Sequence, residues 1–196
     1  DFVAKSSKGV FLDVLFRKTK EYFQKDGLFE EADTIHIKRE TVLKIIETLE
    51  PFNLCNLSDD IRGLAFESFL GKTFRGELGQ FFTPRTIVNY MVDVLDIKEG
   101  ETICDPCCGS GGFLIRAFEH VQDLIDNDIH QQIHDVVNHT TMSVAEKKYQ
   151  VEQLLLELDK KHIGSRYYKL CHQYIYGVDA NIRMARTSKM NMIMHG

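Results

Sequence analysis

The stretch TICDPCCGSGGFL, residues 102–114, decides how the chain is read. A short apolar run ends in an acid, Asp105, a glycine-rich turn follows, and apolar residues resume at Phe113 and Leu114. Strand, glycine turn and helix together form a general device for a nucleotide-like cofactor. Glycine lets the backbone approach the ligand where a Cβ would collide, and the helix N-terminus presents unpaired N–H groups. The spacing D-P-C-C-G-S-G-G puts Asp105 at the strand end and Gly109 and Gly111 at the close-approach positions. No Lys follows the glycines, which disfavours nucleoside triphosphate hydrolysis, and a dinucleotide loop would prefer G-x-G-x-x-G.

A second strand supplies a partner. QYIYGVDA, residues 173–180, ends in Asp179. An acid at that tip is placed to accept hydrogen bonds from ribose hydroxyls; its competing role is a strand-end turn or helix-cap acid. Such an acid usually follows about 20 residues after the loop. Here Asp179 stands 74 positions after Asp105, which predicts an insertion at 120–170 over the cofactor edge. That segment reads as a polar stretch plus one helix over about 144–160, introduced by the capping-box pair Ser143 and Glu146, with Val151, Leu154, Leu155 and Leu158 on one face. Before the loop, FTPRTIVNYMVDVLDI predicts a helix with Thr83 as N-cap and Pro84 at its first position. The alternation of strands and helices predicts the α/β class, with an open, mostly parallel sheet of which this chain holds part.

The first 70 residues predict an all-helical domain. Val10, Phe11, Val14, Leu15, Tyr22 and Phe23 recur at helical spacing, as do Val42, Ile45, Ile46 and Leu49; a third helix over about 59–71 carries Ile61, Leu64, Ala65 and Phe69, with Gly71 as its stop. The glycine-bearing GKTFRGELGQFF, residues 71–82, reads as a loop opening a second domain, 71–196. These apolar stripes favour plain core packing over any cofactor role.

Composition narrows the class. The 196 residues are 43% hydrophobic and 27% charged, with no repeat or low-complexity tract. No stretch approaches the roughly 20 apolar residues of a membrane span, and residues 1–20 do not read as a signal peptide, which points to the cytoplasm and no membrane. Five cysteines at irregular spacing (Cys55, Cys104, Cys107, Cys108, Cys171) favour reduced thiols over a disulfide framework. Net charge is -5, so a DNA-acting protein of this balance needs a local basic surface or a partner that grips the DNA. The chain begins with Asp rather than Met and stops on a helical pattern, and is read as a piece of something longer.

Three motifs in order resemble adenine-specific DNA methyltransferases, in particular the modification (M) subunits of type I restriction-modification systems. GELGQFFTPRTIVNYMV (76–92) resembles the family's F-T-P-R segment, DPCCGSGGFL (105–114) its D-P-x-C-G-S-G-G segment, and IYGVDANIRMARTSKMNMIMHG (175–196), more loosely, its segment ending A-x-M-N-x-x-x-H-G. LSDDIRGLAFESFLGKTF (57–74) resembles the helix that joins the family's helical and catalytic domains. The resemblance implies a Rossmann-like fold dependent on S-adenosylmethionine (SAM) and methylation of adenine N6 in DNA. It implies as partners DNA, a specificity (S) subunit, a restriction (R) subunit and a second M subunit. Thr83 is implied for the methionine carboxylate, with Phe82 and Pro84 shaping the wall. Asp105, Gly109, Ser110 and Gly111 fall under the methionine amino group and sulfonium region, Asp179 takes the ribose hydroxyls, and Asn181 or Ile182 borders the adenine. The residues alone agree on the loop and Asp179 without separating SAM from NAD.

The family's catalytic Asn-Pro-Pro-aromatic segment is absent: the chain's three prolines are Pro51, Pro84 and Pro106. An adenine amino group, its lone pair delocalised into the ring, needs acceptors and a stacking ring to attack in line, and that segment supplies them. No catalytic residue is therefore named, and the chain alone is expected to be inactive. The rivals are transfer to RNA or to a protein glutamine, and a non-catalytic assembly module.

Weaker signals read as structural. Cys104 and Cys107 form one C-x-x-C without a second pair, so no metal is assigned. His130 and His134 beside Asp126, Asp128 and Asp135 fit a solvated helix face better than a metal pair, and Arg183, Arg186 and Lys189 a solvated face better than a phosphate contact.

Overall fold

In the computed structural model, residues 10–53, 68 and 83–195 are described. The chain divides into two compact units, Asp1–Arg62 and Gly63–Gly196. The predicted helix over 59–71 and the loop over 71–82 lie outside the described residues, Ser68 apart, as do Phe82 and Cys55.

The first unit contains α1 (Val10–Tyr22) and α2 (Arg39–Leu49). The inward face of α1 differs from the predicted one: Leu15 and Tyr22 are exposed, and Phe16 packs edge-on against Phe29, ring centroids 5.2 Å apart. The cause is the turn after α1, which folds back so that Lys20 Nζ donates to the carbonyls of Glu31 and Asp33 at 2.8 and 3.0 Å. Ile45, Ile46 and Leu49 of α2 are also exposed, so the periodicity sets the helix without burying its stripe.

The second unit is helix-rich with a small parallel sheet: α3 (Arg85–Leu95), β1 (Ile103–Asp105), α4 (Gly112–Asn138), α5 (Val144–Leu156), α6 (Arg166–Gln173), β2 (Ile175–Gly177) and α7 (Ile182–His195). β1 and β2 pair in parallel, Ile103 opposite Ile175 and Asp105 opposite Gly177. A parallel pair needs a long crossover, and α4 to α6 provide it. The spine is α4. Ala117, Phe118, Val121, Ile125 and Ile129 recur every three or four residues and pack with Val92 of α3, Ile97, and Tyr167 and Leu170 of α6. Ile103, Ile175, Leu154, Leu158 and Met192 close the core from the strands, α5, the turn after it and α7.

Three local predictions change. Pro84, with ψ 137°, is the N-cap of α3 in place of Thr83; its carbonyl accepts from the Ile87 and Val88 N–H groups at 2.9 and 3.1 Å, so the helix starts one residue later. The polar stretch after 120 is the continuation of α4, whose buried residues Ile125 and Ile129 carry the stripe on while the polar residues face outward. An additional helix, α6, stands before β2, begun by Ser165, whose side chain accepts from the Tyr168 N–H at 2.9 Å. The capping box of α5 is present in full, with Ser143 and Glu146 exchanging bonds.

Polar groups fix the crossover. Arg166 donates to Glu99 from Nε and Nη2 at 2.8 and 2.5 Å, and to Asp128 of α4 at 2.5 Å, while its backbone N–H donates to Glu157. These bonds raise the Arg166 pKa, with Glu99 the largest cause, and the Arg166 hydrogen bond holds the Asp128 carboxyl below its ordinary value. Tyr167 donates to Asp126, and burial, followed by that bond, raises its pKa. Asp126, Asp128 and Asp135 are thus occupied by Tyr167, Arg166 and Gln131, among other partners. Among the described residues no helix is long and apolar enough to cross a membrane.

Two outcomes are expected. Ile125→Ala, at a fully buried position, should cost about 2–5 kcal/mol by urea denaturation. The Asp128 and Glu146 carboxyls are both lowered, the latter by the Ser143 hydroxyl and backbone bonds. Their contribution is therefore present above the unfolded-state values of about 4 and lost as pH falls through the lowered folded-state values. Melting temperature followed by circular dichroism should be flat from about pH 6 to 8, fall below about pH 4, and fall less steeply in Asp128→Asn.

Candidate functional site

The two strand tips meet at the glycine loop. β1 ends at Asp105, whose Oδ1 accepts the Cys107 N–H at 3.0 Å and closes a tight turn over Pro106. The chain then rejoins the ladder: the Val178 N–H donates to the Asp105 carbonyl and the Cys108 N–H to the Val178 carbonyl, both at 2.9 Å. These two bonds carry the parallel pairing past both strands and bring residue 179 against residue 109. Asp179 Oδ2 accepts the Gly109 N–H at 2.9 Å, and its Oδ1 accepts the Asn181 N–H at 2.7 Å.

Gly109 has φ +53° and Gly111 φ +88°, the left-handed region that side chains rarely adopt. Gly111 is the N-cap of α4, and its N–H donates to the Cys108 carbonyl at 2.7 Å. A Cβ on Gly111 would lie 2.6 Å from Ser188 Oγ of α7, so helix and loop are in contact there. Among the described residues, a Cβ on Gly109 or Gly112 would meet nothing within 4 Å. Ser110 is nearly buried, and its carbonyl accepts from Asn191 Nδ2 at 3.0 Å.

The structure thus brings Asp105, Gly109, Ser110, Gly111 and Asp179 into one cluster. Thr83 and Pro84 are exposed before α3, a helix tied to α4 by Val92 and by the Asp93–Arg116 ion pair at 2.9 Å. Among the described residues no hydrogen bond joins Thr83 or Pro84 to the loop. Asn181 accepts the Arg183 N–H at 3.0 Å, which starts α7, and Ile182 is exposed beside it. The turn-and-cap role weighed for Asp179 is realised, since both its oxygens hold backbone N–H groups. Each carboxylate oxygen accepts two bonds, so each retains a lone pair for a ligand hydroxyl.

The cysteines divide. Cys107 and Cys104 are exposed free thiols, whereas Cys108 is buried against Gly177 and has its pKa raised, first by that burial. Cys108 is a packing residue. Among the described residues no group of three or more His, Cys, Asp or Glu side chains could hold a metal ion. Ser188 and Asn191 are the site residues that periodicity did not mark: both are polar residues buried on α7. The M-N-x-x-x-H-G pattern contains Asn191 and His195 but not Ser188, for which the sequence carries no such mark.

The cluster suits a ligand with vicinal hydroxyls and a cationic group. Two carboxylates with spare acceptor capacity flank a loop in which, among the described residues, the Cβ positions of Gly109 and Gly112 have no neighbour within 4 Å.

Comparison with known proteins adds the following. The model of the N-6 DNA Methylase family matches residues 57–153. The EcoEI type I restriction enzyme methylase subunit of Escherichia coli is 54% identical over 48 residues, 24% of this chain and 10% of that protein. The MjaIX type I restriction enzyme methylase subunit of Methanocaldococcus jannaschii is 48% identical over 66 residues, 32% of this chain and 12% of that protein. The MjaVII type I restriction enzyme methylase subunit of the same organism is 23% identical over 170 residues, 86% of this chain and 21% of that protein. A crystal structure of a modification subunit assigned to a type I restriction enzyme of Vibrio vulnificus YJ016 aligns with TM-score 0.48 at 23% identity, over 79% of this chain and 25% of that one. The chain therefore matches between 10% and 25% of the length of these proteins.

The two loop glycines should respond differently. Gly111→Ala meets both the φ penalty and Ser188 Oγ at 2.6 Å, and should cost more than Gly109→Ala, which meets the φ penalty of about 1–2 kcal/mol alone. Urea denaturation of both variants and of Gly111→Ala with Ser188→Ala checks this, with part of the larger loss recovered in the double variant.

Proposed function

We propose that the chain, which the N-6 DNA Methylase family model matches over residues 57–153, supplies the cofactor-binding part of a SAM-dependent, adenine-specific DNA methyltransferase. On this reading it serves as the M subunit of a type I restriction-modification complex in the cytoplasm, with DNA, an S subunit, an R subunit and a second M subunit as partners. Residues 1–70 form its helical domain. Residues 71–196 form the first part of a Rossmann-like open parallel sheet with 120–170 inserted over the cofactor edge.

One observation carries the reading: the Asp179 carboxylate reaches across from β2 and accepts the Gly109 N–H at the tip of β1. On this reading the bond holds Asp179, the proposed ribose acceptor, beside the glycine loop. Asp179 would accept the ribose hydroxyls with the lone pair left on each oxygen. Asp105, with one oxygen committed to the Cys107 N–H, would accept from the methionine ammonium with the other. Gly109, Ser110 and Gly111 would border the sulfonium region. Phe82, Thr83 and Pro84 would close the methionine end, Thr83 as donor to the carboxylate, and Asn181 and Ile182 would border the adenine. SAM, when bound, supplies a methyl group activated by its sulfonium. The residues present here bind and orient, and the acceptors that must hold an adenine amine belong to an Asn-Pro-Pro-aromatic segment that these 196 residues do not contain.

In the intact protein, Asp179→Ala should weaken SAM binding at least about tenfold by calorimetry, and unchanged affinity would remove the ribose assignment. A second arm separates a direct contact from a slackened loop. A SAM analogue lacking the 2′-hydroxyl should bind more weakly than SAM to the native protein and equally well to Asp179→Ala.

A further inference from the structure

We propose that Asn191 is a positioning residue for the glycine loop, acting from the side away from the ligand. The proposal rests on reading residues 105–111 and Asp179 as the SAM pocket.

Asn191 lies on α7 with 0% of its surface exposed. Its Nδ2 donates to the Ser110 carbonyl at 3.0 Å, across 81 positions of sequence. One turn earlier Ser188, also buried, stands where a Cβ on Gly111 would collide. One turn later the His195 ring lies with Nδ1 2.9 Å from the Asn191 carbonyl. With Asp179 receiving the Gly109 N–H, three consecutive loop residues are held by the one segment that follows β2: Gly109 at its N–H, Ser110 at its carbonyl, Gly111 at its Cα.

The Asn191 bond fixes an orientation. A peptide plane carries its carbonyl and the next N–H on opposite sides, so a Ser110 carbonyl turned to α7 turns the Gly111 N–H away from it, toward the Cys108 carbonyl. Among the described residues, the space beside Gly109 is free within 4 Å of where a Cβ would stand. Freed from Asn191, the 110–111 peptide could rotate, since Gly111 tolerates either sign of φ. The other half of the amide sharpens the point. Asn191 Oδ1 is buried and has no hydrogen-bond partner among the described residues. An apolar side chain there would carry no such desolvation penalty, so what the amide adds is its bond to Ser110.

The test uses Asn191→Ala and Asn191→Asp in the intact protein; the first removes the donor without adding bulk to a fully buried site, the second removes it with the shape kept. Amide hydrogen exchange without cofactor should speed up at least about tenfold over residues 109–113 and change less than about twofold along Ile125–Ile129 and α6. With cofactor, KM for SAM should rise at least about fivefold while kcat stays within about twofold. Unchanged loop exchange in a folded variant overturns the proposal. So does free exchange of the Asn191 side-chain amide in the native protein, a measurement that needs no variant to fold. Failure of the native protein to bind SAM would remove the cofactor reading, while loop exchange would still decide the role of Asn191.

Discussion

The parallel pairing of Ile103–Asp105 with Ile175–Gly177 is the constraint on which the second unit depends. Two strands of three residues cannot hold one another in water. Their register is maintained because both are pressed on one apolar helix: Ile103 and Ile175 join the core that α4 organises. Once that register exists, the rest follows by single steps. The ladder runs on through residues 105, 108 and 178, the loop closes on the Asp105 side chain, and Asp179 arrives at the Gly109 N–H. A slip of one residue would put Ala180 there and leave no acceptor.

The crossover shows a division between burial and charge. Tyr167 and Leu170 dock α6 on α4, and burying such side chains is worth roughly 1.5–3 kcal/mol each, against a median near 0–1 kcal/mol for an exposed ion pair. Arg166, 22% exposed and bonded to Glu99 and Asp128, contributes in geometry as well. What it adds is angle, because a planar guanidinium satisfied on two sides admits α6 in one orientation. The residue after α6 is the one before β2, so the angle of this helix aims the strand.

Much of this was legible in the sequence, and the misses share a cause. Residues 102–114 show the strand, the turn and the helix start because each is signalled locally, by apolar residues, glycines and the return of apolar spacing. The capping box at Ser143 and Glu146 is local too and stands as read. By contrast, the outward face of α2 and the inward face of α1 depend on what packs against them, which periodicity does not contain. The run of α4 past 120 was hidden because its buried positions, Val121, Ile125 and Ile129, come one in four among many polar residues, and α6 because it is only eight residues long and half of them are polar. Ser188 and Asn191 were hidden by the rule that buried means apolar. Their burial is explained by a loop carbonyl and a glycine 81 and 77 positions away.

The loop's rigidity is then bought by distant sequence rather than by its own residues. Glycines at φ +53° and +88° give the conformation access but no preference, and a free loop of this composition would sample many shapes. Binding to such a loop would carry the ordering cost at the moment of association. Here Asp179, Ser188 and Asn191 hold the loop within the folded chain, so that cost is met by folding. The paired cysteines fit the same account. Cys108 fills the space over Gly177, where a Cβ would meet its Sγ at 3.2 Å, and Cys107 follows as the exposed residue of a turn set by Asp105. Neither thiol needs chemistry to explain its place. What residues 102–114 require of the rest of the chain is one parallel strand in register and one helix with two buried polar side chains.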